Sequence, residues 1–214
     1  MPAHPLSRRI AAAAGTAALA ATALLAGSGS ASAALPTPIA ASTARSYLSA
    51  MTATAETHAS TYDRSLFPTW ITISGTCDTR EYVLKRDGSG VTTDSACKAT
   101  SGSWTSVYDG VTTTDPSTFD IDHLVPLSEA WDSGAWAWTT AQRQAFANDV
   151  TRPQLLAVSA SSNRSKGDDD PAEWLPRASY RCTYARAWVQ VKHYYGLTVD
   201  SAEKSALSSI LSGC

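Results

Sequence analysis

The stretch "DIDHLVPLSEAW", residues 120–131, sets Asp120, Asp122 and His123 within four positions of a chain that has only four histidines. A carboxylate beside an imidazole can serve two ends at once. The anionic oxygen suits a hard divalent cation, and the neutral ring can take a proton from water near pH 7. Taken alone, the pair is more at home as a structural feature, a buried, hydrogen-bonded histidine next to a strand acid. A second polar group follows in "RPQLLAVSASSNRSKGDDDP", residues 152–171. Asn163 adds an amide oxygen to the hard donors, and Arg164 and Lys166 add cations of the kind that contact phosphate.

These groups need elements that bring them together. Leu155 to Val158 is an apolar, strand-like run that leads through small residues to a helix expected to open on Asn163-Arg164-x-Lys166. The residues before Leu124 read as another strand. Neighbouring strand residues face opposite sides, so Asp122 and His123 can share a site only if the strand frays at His123, as the Val125-Pro126 pair suggests. Between the two groups, "PLSEAWDSG" and "TTAQRQAFANDV" read as helices, the second opened by a Thr139/Gln142 capping box. Upstream, residues 35–61 read as one loosely packed helix and "TCDTREYVLKRDGSG" as a capped helix ending at Gly88. The Gly/Asp/Pro-broken, β-branched stretch up to residue 123 reads as short antiparallel strands. "PAEWLP" is expected to be helical, with Asp168 to Asp170 as its acidic cap. The fold class is therefore α+β, with surrounding helices and a small antiparallel sheet.

Strand, loop with Asp-His, strand, and helix with Asn-Arg-x-Lys resembles the ββα-metal core of HNH endonucleases. The likeness is nearest to their secreted actinobacterial branch and extends over most of the chain beyond the leader, with the core motif at about residues 119–175. It implies a metal-dependent endonuclease that hydrolyses DNA, and RNA as a further candidate, with low sequence specificity. In that pattern His123 is the general base, and Asp122 and Asn163 hold the metal. Gln154 falls where the family has an Asn that braces the loop of the base, a departure that leaves the bracing open although Gln carries the same amide groups. Arg164 and Lys166 would contact phosphates in company with the helix N-terminus. Asp120 either supports His123 or flanks the strand, and Glu129 either points into the site or lies on the surface. Mg²⁺ is the expected ion, with Mn²⁺, Ca²⁺ and Zn²⁺ as alternatives, and the products would carry 5′-phosphate ends. The competing reading is a secreted, non-catalytic binding module that keeps a structural metal.

The rest of the chain sets the context. Residues 1–33 open with basic Arg8-Arg9, continue as an Ala/Leu-rich run and end in small residues, the pattern of a secretory signal peptide. Residues 34–214 then form a single exported domain, expected to be monomeric and free of the membrane. That domain carries 15 basic against 19 acidic groups, net −4. No global field attracts polyanions, so nucleic acid must be met by a local basic patch or a bound cation. All four cysteines are exported, which argues for two disulfides. "SYRCTYARAWVQVKHYYG" and "DSAEKSALSSILSGC" read as two helices in a hairpin that returns Cys214 to Cys182. The pairing Cys182–Cys214 follows, with Cys77–Cys97 by elimination. The tryptophans at 131, 136 and 138 are read as core or core cover rather than a ligand platform.

Overall fold

The computed structural model describes residues 1–3 and 35–214; most of the expected leader lies outside these residues. Helix α1 (Ala41–Ala50) is followed by irregular chain with short 3-10 turns at Ala59–Thr61 and Arg64–Leu66. The Ala/Thr/Ser-rich 35–61 segment is thus helical only in part, because beyond Met51 it has few large apolar residues to bury.

A two-stranded ribbon, β1 (Thr72–Ser74) and β2 (Cys77–Asp78), leads into α2 (Thr79–Asp87), which Asp78 caps by accepting from the Glu81 amide at 2.8 Å. An antiparallel sheet follows in the order β3 (Ser89–Thr93), β4 (Ala99–Thr105), β5 (Thr112–Thr113). Then come β6 (Phe119–His123), α3 (Leu127–Asp132), α4 (Thr140–Ala147), β7 (Leu155–Ser159) and α5 (Ala160–Lys166). The chain closes with α6 (Arg181–Tyr195) and α7 (Ser201–Ser212). This is an α+β fold, and its disulfides are Cys77–Cys97 and Cys182–Cys214. The capping box of α4 is present at Thr139/Gln142, and α6 ends at Gly196 with φ 67°, a left-handed conformation that glycine adopts without penalty.

β6 and β7 pair antiparallel with Asp120 opposite Val158, Asp122 opposite Leu156 and His123 opposite Leu155. Both faces of this ribbon are covered, which explains why β7 is apolar throughout rather than alternating. On one face Phe119, Ile121, Leu155 and Ala157 pack with Val83 and Leu84 of α2 and with Trp104. On the other, Leu156 and Val158 join the main core, where Tyr184 and Trp188 of α6 and Leu207 and Leu211 of α7 are fully buried. The outer edge of β7 is closed by side chains: Arg86 donates to the Leu155 carbonyl and Asp87 accepts from the Ala157 amide at 2.8 Å.

Two expectations need correction. "PAEWLP" forms a turn, since Pro171 and Pro176 bracket too few residues for a helix. And α5 begins at Ala160, three residues before Asn163, because the Ser159 hydroxyl already caps it by accepting from Ser162 N at 3.2 Å. The tryptophans divide as a core-and-cover reading predicts: Trp131 is buried, Trp138 packs on the core, and Trp136 is exposed and stacked on His58 at 4.0 Å.

Candidate active site

β6 carries its acids and its histidine on alternate faces, and their partners show it. Asp122 turns toward α5 and the main core. One of its carboxylate oxygens accepts from Lys166 Nζ at 2.9 Å and the other from the Tyr108 hydroxyl at 2.5 Å. His123 turns the other way. Its ring stacks on Trp70, centroids 5.3 Å apart and planes 5° apart, and its Nε2 lies 2.9 Å from the Ala147 carbonyl. The strand therefore does not fray before His123, which still pairs with Leu155. Both residues nonetheless line one cavity of about 170 Å³ at the end of the ribbon, together with Arg64, Ile121, Pro126, Asn163, Gly167 and Asp168.

A carbonyl oxygen only accepts, so the 2.9 Å contact fixes the proton of neutral His123 on Nε2 and leaves Nδ1 as the basic nitrogen. Burial pushes the imidazole from its ordinary 6.5 down to about 3, helped by the charges of Arg64 and Lys166 and opposed by the Ala147 bond. His123 is neutral at physiological pH. For Asp122, burial raises the carboxyl above its ordinary value, while Lys166 and Tyr108 pull the other way.

Behind the site, the chain is braced. Gln154 is fully buried, and its side-chain amide bonds both backbone groups of Val125, accepting from the amide at 3.1 Å and donating to the carbonyl at 2.8 Å. Its own carbonyl takes the Leu124 amide at 2.7 Å. The residue holds the loop after His123 without lining the cavity, so it acts on position rather than on a reacting atom. Asp109 does the same for α5, accepting from the Ser159 and Ser162 hydroxyls at 2.5 and 2.7 Å. Although burial works upward on Asp109, these hydrogen bonds prevail and hold it at about 2.

Asn163, on α5, donates from Nδ2 to Asp120 Oδ2 at 3.3 Å, leaving its amide oxygen as an acceptor. Asp120 thus meets Asn163 on the face of β6 away from His123. Asp122 and Asn163 both line the cavity and carry oxygens of the type a hard divalent cation takes, and Asp120 is held beside Asn163.

Three expectations meet a different geometry. Lys166 is completely buried, its ammonium shared between Asp122 and the His123 carbonyl at 3.0 Å, so it has no surface to offer a phosphate. Arg164 is exposed, but both it and Lys166 lie in the last turn of α5 rather than at its opening. Glu129 neither faces the cavity nor lies on the surface: it is buried against Lys192 Nζ, which also holds Glu203 at 2.7 Å and the Thr198 carbonyl at 3.0 Å. Arg64, Trp70 and Tyr108, which the sequence pattern did not single out, are brought to the site. Tyr108 had a weak signal in the turn "VYDG". Arg64 and Trp70 had none, since they come from irregular chain far from either polar group.

A family model described as "GmrSD restriction endonucleases, C-terminal domain" matches residues 79–210, which contain β6, β7 and α5. The chain belongs to this family. The GmrSD-type domain thus places the polar cavity in a nuclease family, whose substrate is nucleic acid and for which a divalent metal is a natural partner. A protein of Arthroderma benhamiae named "Uncharacterized secreted protein" is 56% identical over 184 residues, covering 84% of this chain and 90% of that relative. No solved structure matches. Among the described residues of the GmrSD-type chain, no helix is long and apolar enough to cross a membrane.

Proposed function

We propose that the chain is a secreted, metal-dependent endonuclease of the HNH type that hydrolyses phosphodiester bonds of DNA, with RNA as a second substrate to test. The observation that carries the reading is the Nε2 contact of His123 with Ala147, because it leaves a neutral imidazole with Nδ1 as its base in a cavity that also holds Asp122 and Asn163. Residues 1–33 act as the export signal and 34–214 as one catalytic domain. Two disulfides and the relative's name support export.

Asp122 and Asn163, with Asp120 beside them, would hold the cation, Mg²⁺ being the first to test. When bound there it supplies positive charge for the phosphate oxygens and for the departing 3′ oxygen. His123 takes the proton of the attacking water at Nδ1. The water oxygen bonds to phosphorus, the P–O3′ bond breaks, and the 3′ oxygen is protonated by solvent, which leaves 5′-phosphate and 3′-hydroxyl ends. Gln154 keeps the loop behind His123 in place, and Tyr108 and Lys166 fix the rotamer of Asp122. Phosphate contacts would dominate binding, with low sequence preference.

Nicking of supercoiled plasmid by the mature protein tests this, with Mg²⁺, Mn²⁺, Ca²⁺, Zn²⁺ or EDTA present and His123→Ala alongside. Cleavage is expected with at least one metal and none in EDTA. The variant should be slower by about 10²–10⁴-fold with its near-UV circular dichroism retained. A folded wild type that cleaves nothing with any of the four ions refutes the enzyme; metal retention without cleavage would instead indicate a binding module.

A further inference from the structure

The cavity lacks the phosphate contact that the sequence pattern assigned to Lys166, whose ammonium is spent in the interior. Another cation stands there. Arg64 is exposed, lines the cavity with Asp122, His123, Asn163 and Asp168, and makes no ion pair among the described residues. It comes from chain ahead of the stretch matched by the family model, which begins at residue 79.

The turn that presents Arg64 is built rather than loose. Asp63 accepts from the Ser65 amide at 2.8 Å, and the next residue but one, Phe67, is only 2% exposed. Its ring is wedged against Trp131 and Phe146, with centroids 6.2 and 6.3 Å away. Arg143 of α4 clamps the same turn by donating from Nε to the Leu66 carbonyl at 2.9 Å. A guanidinium fixed at its base, hydrogen-bonded to the Tyr62 hydroxyl and lining a cavity with oxygen ligands still has N–H donors left over that match a phosphate's paired oxygens.

We propose that Arg64 binds the non-bridging oxygens of the scissile phosphodiester, the role that Lys166 cannot fill. This rests on the nuclease reading above. Arg64 would favour the pentacoordinate transition state over the ground state, so its loss should appear mainly in kcat. It also supplies one phosphate contact to binding, which the salt dependence counts.

The test compares wild type, Arg64→Ala, Arg64→Lys and Lys85→Ala, the last removing an exposed charge on α2. Two measurements are made on one labelled duplex: kcat and KM with the metal that supports nicking, and binding in EDTA by fluorescence anisotropy across a salt series. Arg64→Ala should lower kcat by about 10²-fold and reduce the slope of log K against log salt by about one, with Arg64→Lys recovering part of kcat and Lys85→Ala leaving kcat unchanged. Thermal unfolding checks that the Arg64 variants are folded. Unchanged kcat in Arg64→Ala beside an active wild type overturns the assignment and leaves the nuclease reading standing, even if the slope falls, because the contact is then to a distant phosphate. A wild type that neither binds nor cleaves the duplex overturns both.

Discussion

Lys166 offers the sharpest test of the site's electrostatics, because a solvated phosphate contact and an interior counter-ion respond oppositely to its removal. Its ammonium is fully buried with Asp122 at 2.9 Å and the His123 carbonyl at 3.0 Å. Lys166→Met keeps most of the apolar stem and deletes the charge. In EDTA, Asp122 then remains buried with only Tyr108 as a partner, and removing one member of such a pair costs about 3–5 kcal/mol. For a domain of this size the melting temperature should fall by about 6–20 °C. The deficit has a sign with pH. Without Lys166 the Asp122 carboxyl, already raised by burial, rises further, so protonation relieves the unpaired charge and the deficit shrinks as the pH falls. Adding Asp122→Asn to the variant should recover much of the stability at neutral pH, since an amide oxygen can still accept from Tyr108. Guanidinium unfolding at pH 7 and pH 5, disulfides intact, reads all three. A deficit below about 1 kcal/mol, together with a binding salt slope lowered by about one, would mean that Lys166 lies in solvent and would refute the interior pair.

Two further outcomes follow from the same geometry. Gln154→Leu keeps the side chain's bulk but strands the amide and carbonyl of Val125 in the interior. It should cost about 2–5 kcal/mol by chemical denaturation, and the surviving folded fraction should show lower kcat with KM little changed. Without bound nucleic acid, burial holds His123 neutral in the folded protein down to about pH 3, whereas the unfolded chain accepts a proton near 6.5. Its contribution is complete above pH 6.5 and is lost as the pH falls toward 3, at up to about 1.4 kcal/mol per pH unit, and His123→Gln should flatten that part of the stability profile.

Much of this arrangement was legible in the sequence because local signals agreed with the fold. The capping box at Thr139 marked a helix start, the two helices read over residues 179–196 and 200–214 marked the hairpin and hence Cys182–Cys214, and the apolar run at Leu155 marked β7. The α5 start was misplaced by three residues because Ser159 is both the last residue of β7 and the cap, a double use that no spacing reveals. Lys166 and Glu129 were misassigned for a common reason: a charged residue is ordinarily exposed, and only tertiary packing shows that each is buried with a counter-charge. Arg64 and Trp70 were invisible because an irregular segment carries no period, and its contacts are decided by anchors such as Phe67.

The register of one short ribbon sets the whole site. With Asp122 opposite Leu156, every even-numbered residue of β6 from Asp120 on faces α5 and every odd-numbered one faces α2 and Trp70. A slip by a single residue would carry Ile121 to the ligand face and the acids into an apolar layer, with several kcal/mol of unpaired charge as the consequence. Burying both faces of β6–β7 is what forbids that slip. The closed edge of β7, the Gln154 brace and the Asp109 cap each fix one end of the ribbon or its helix. The His123 ring and the Asp122 carboxylate therefore leave opposite faces of the same strand and still line one cavity at its end. On the proposed reading, an acidic protein would work on a polyanion through local positive charge: a cation held by Asp122 and Asn163, and Arg64.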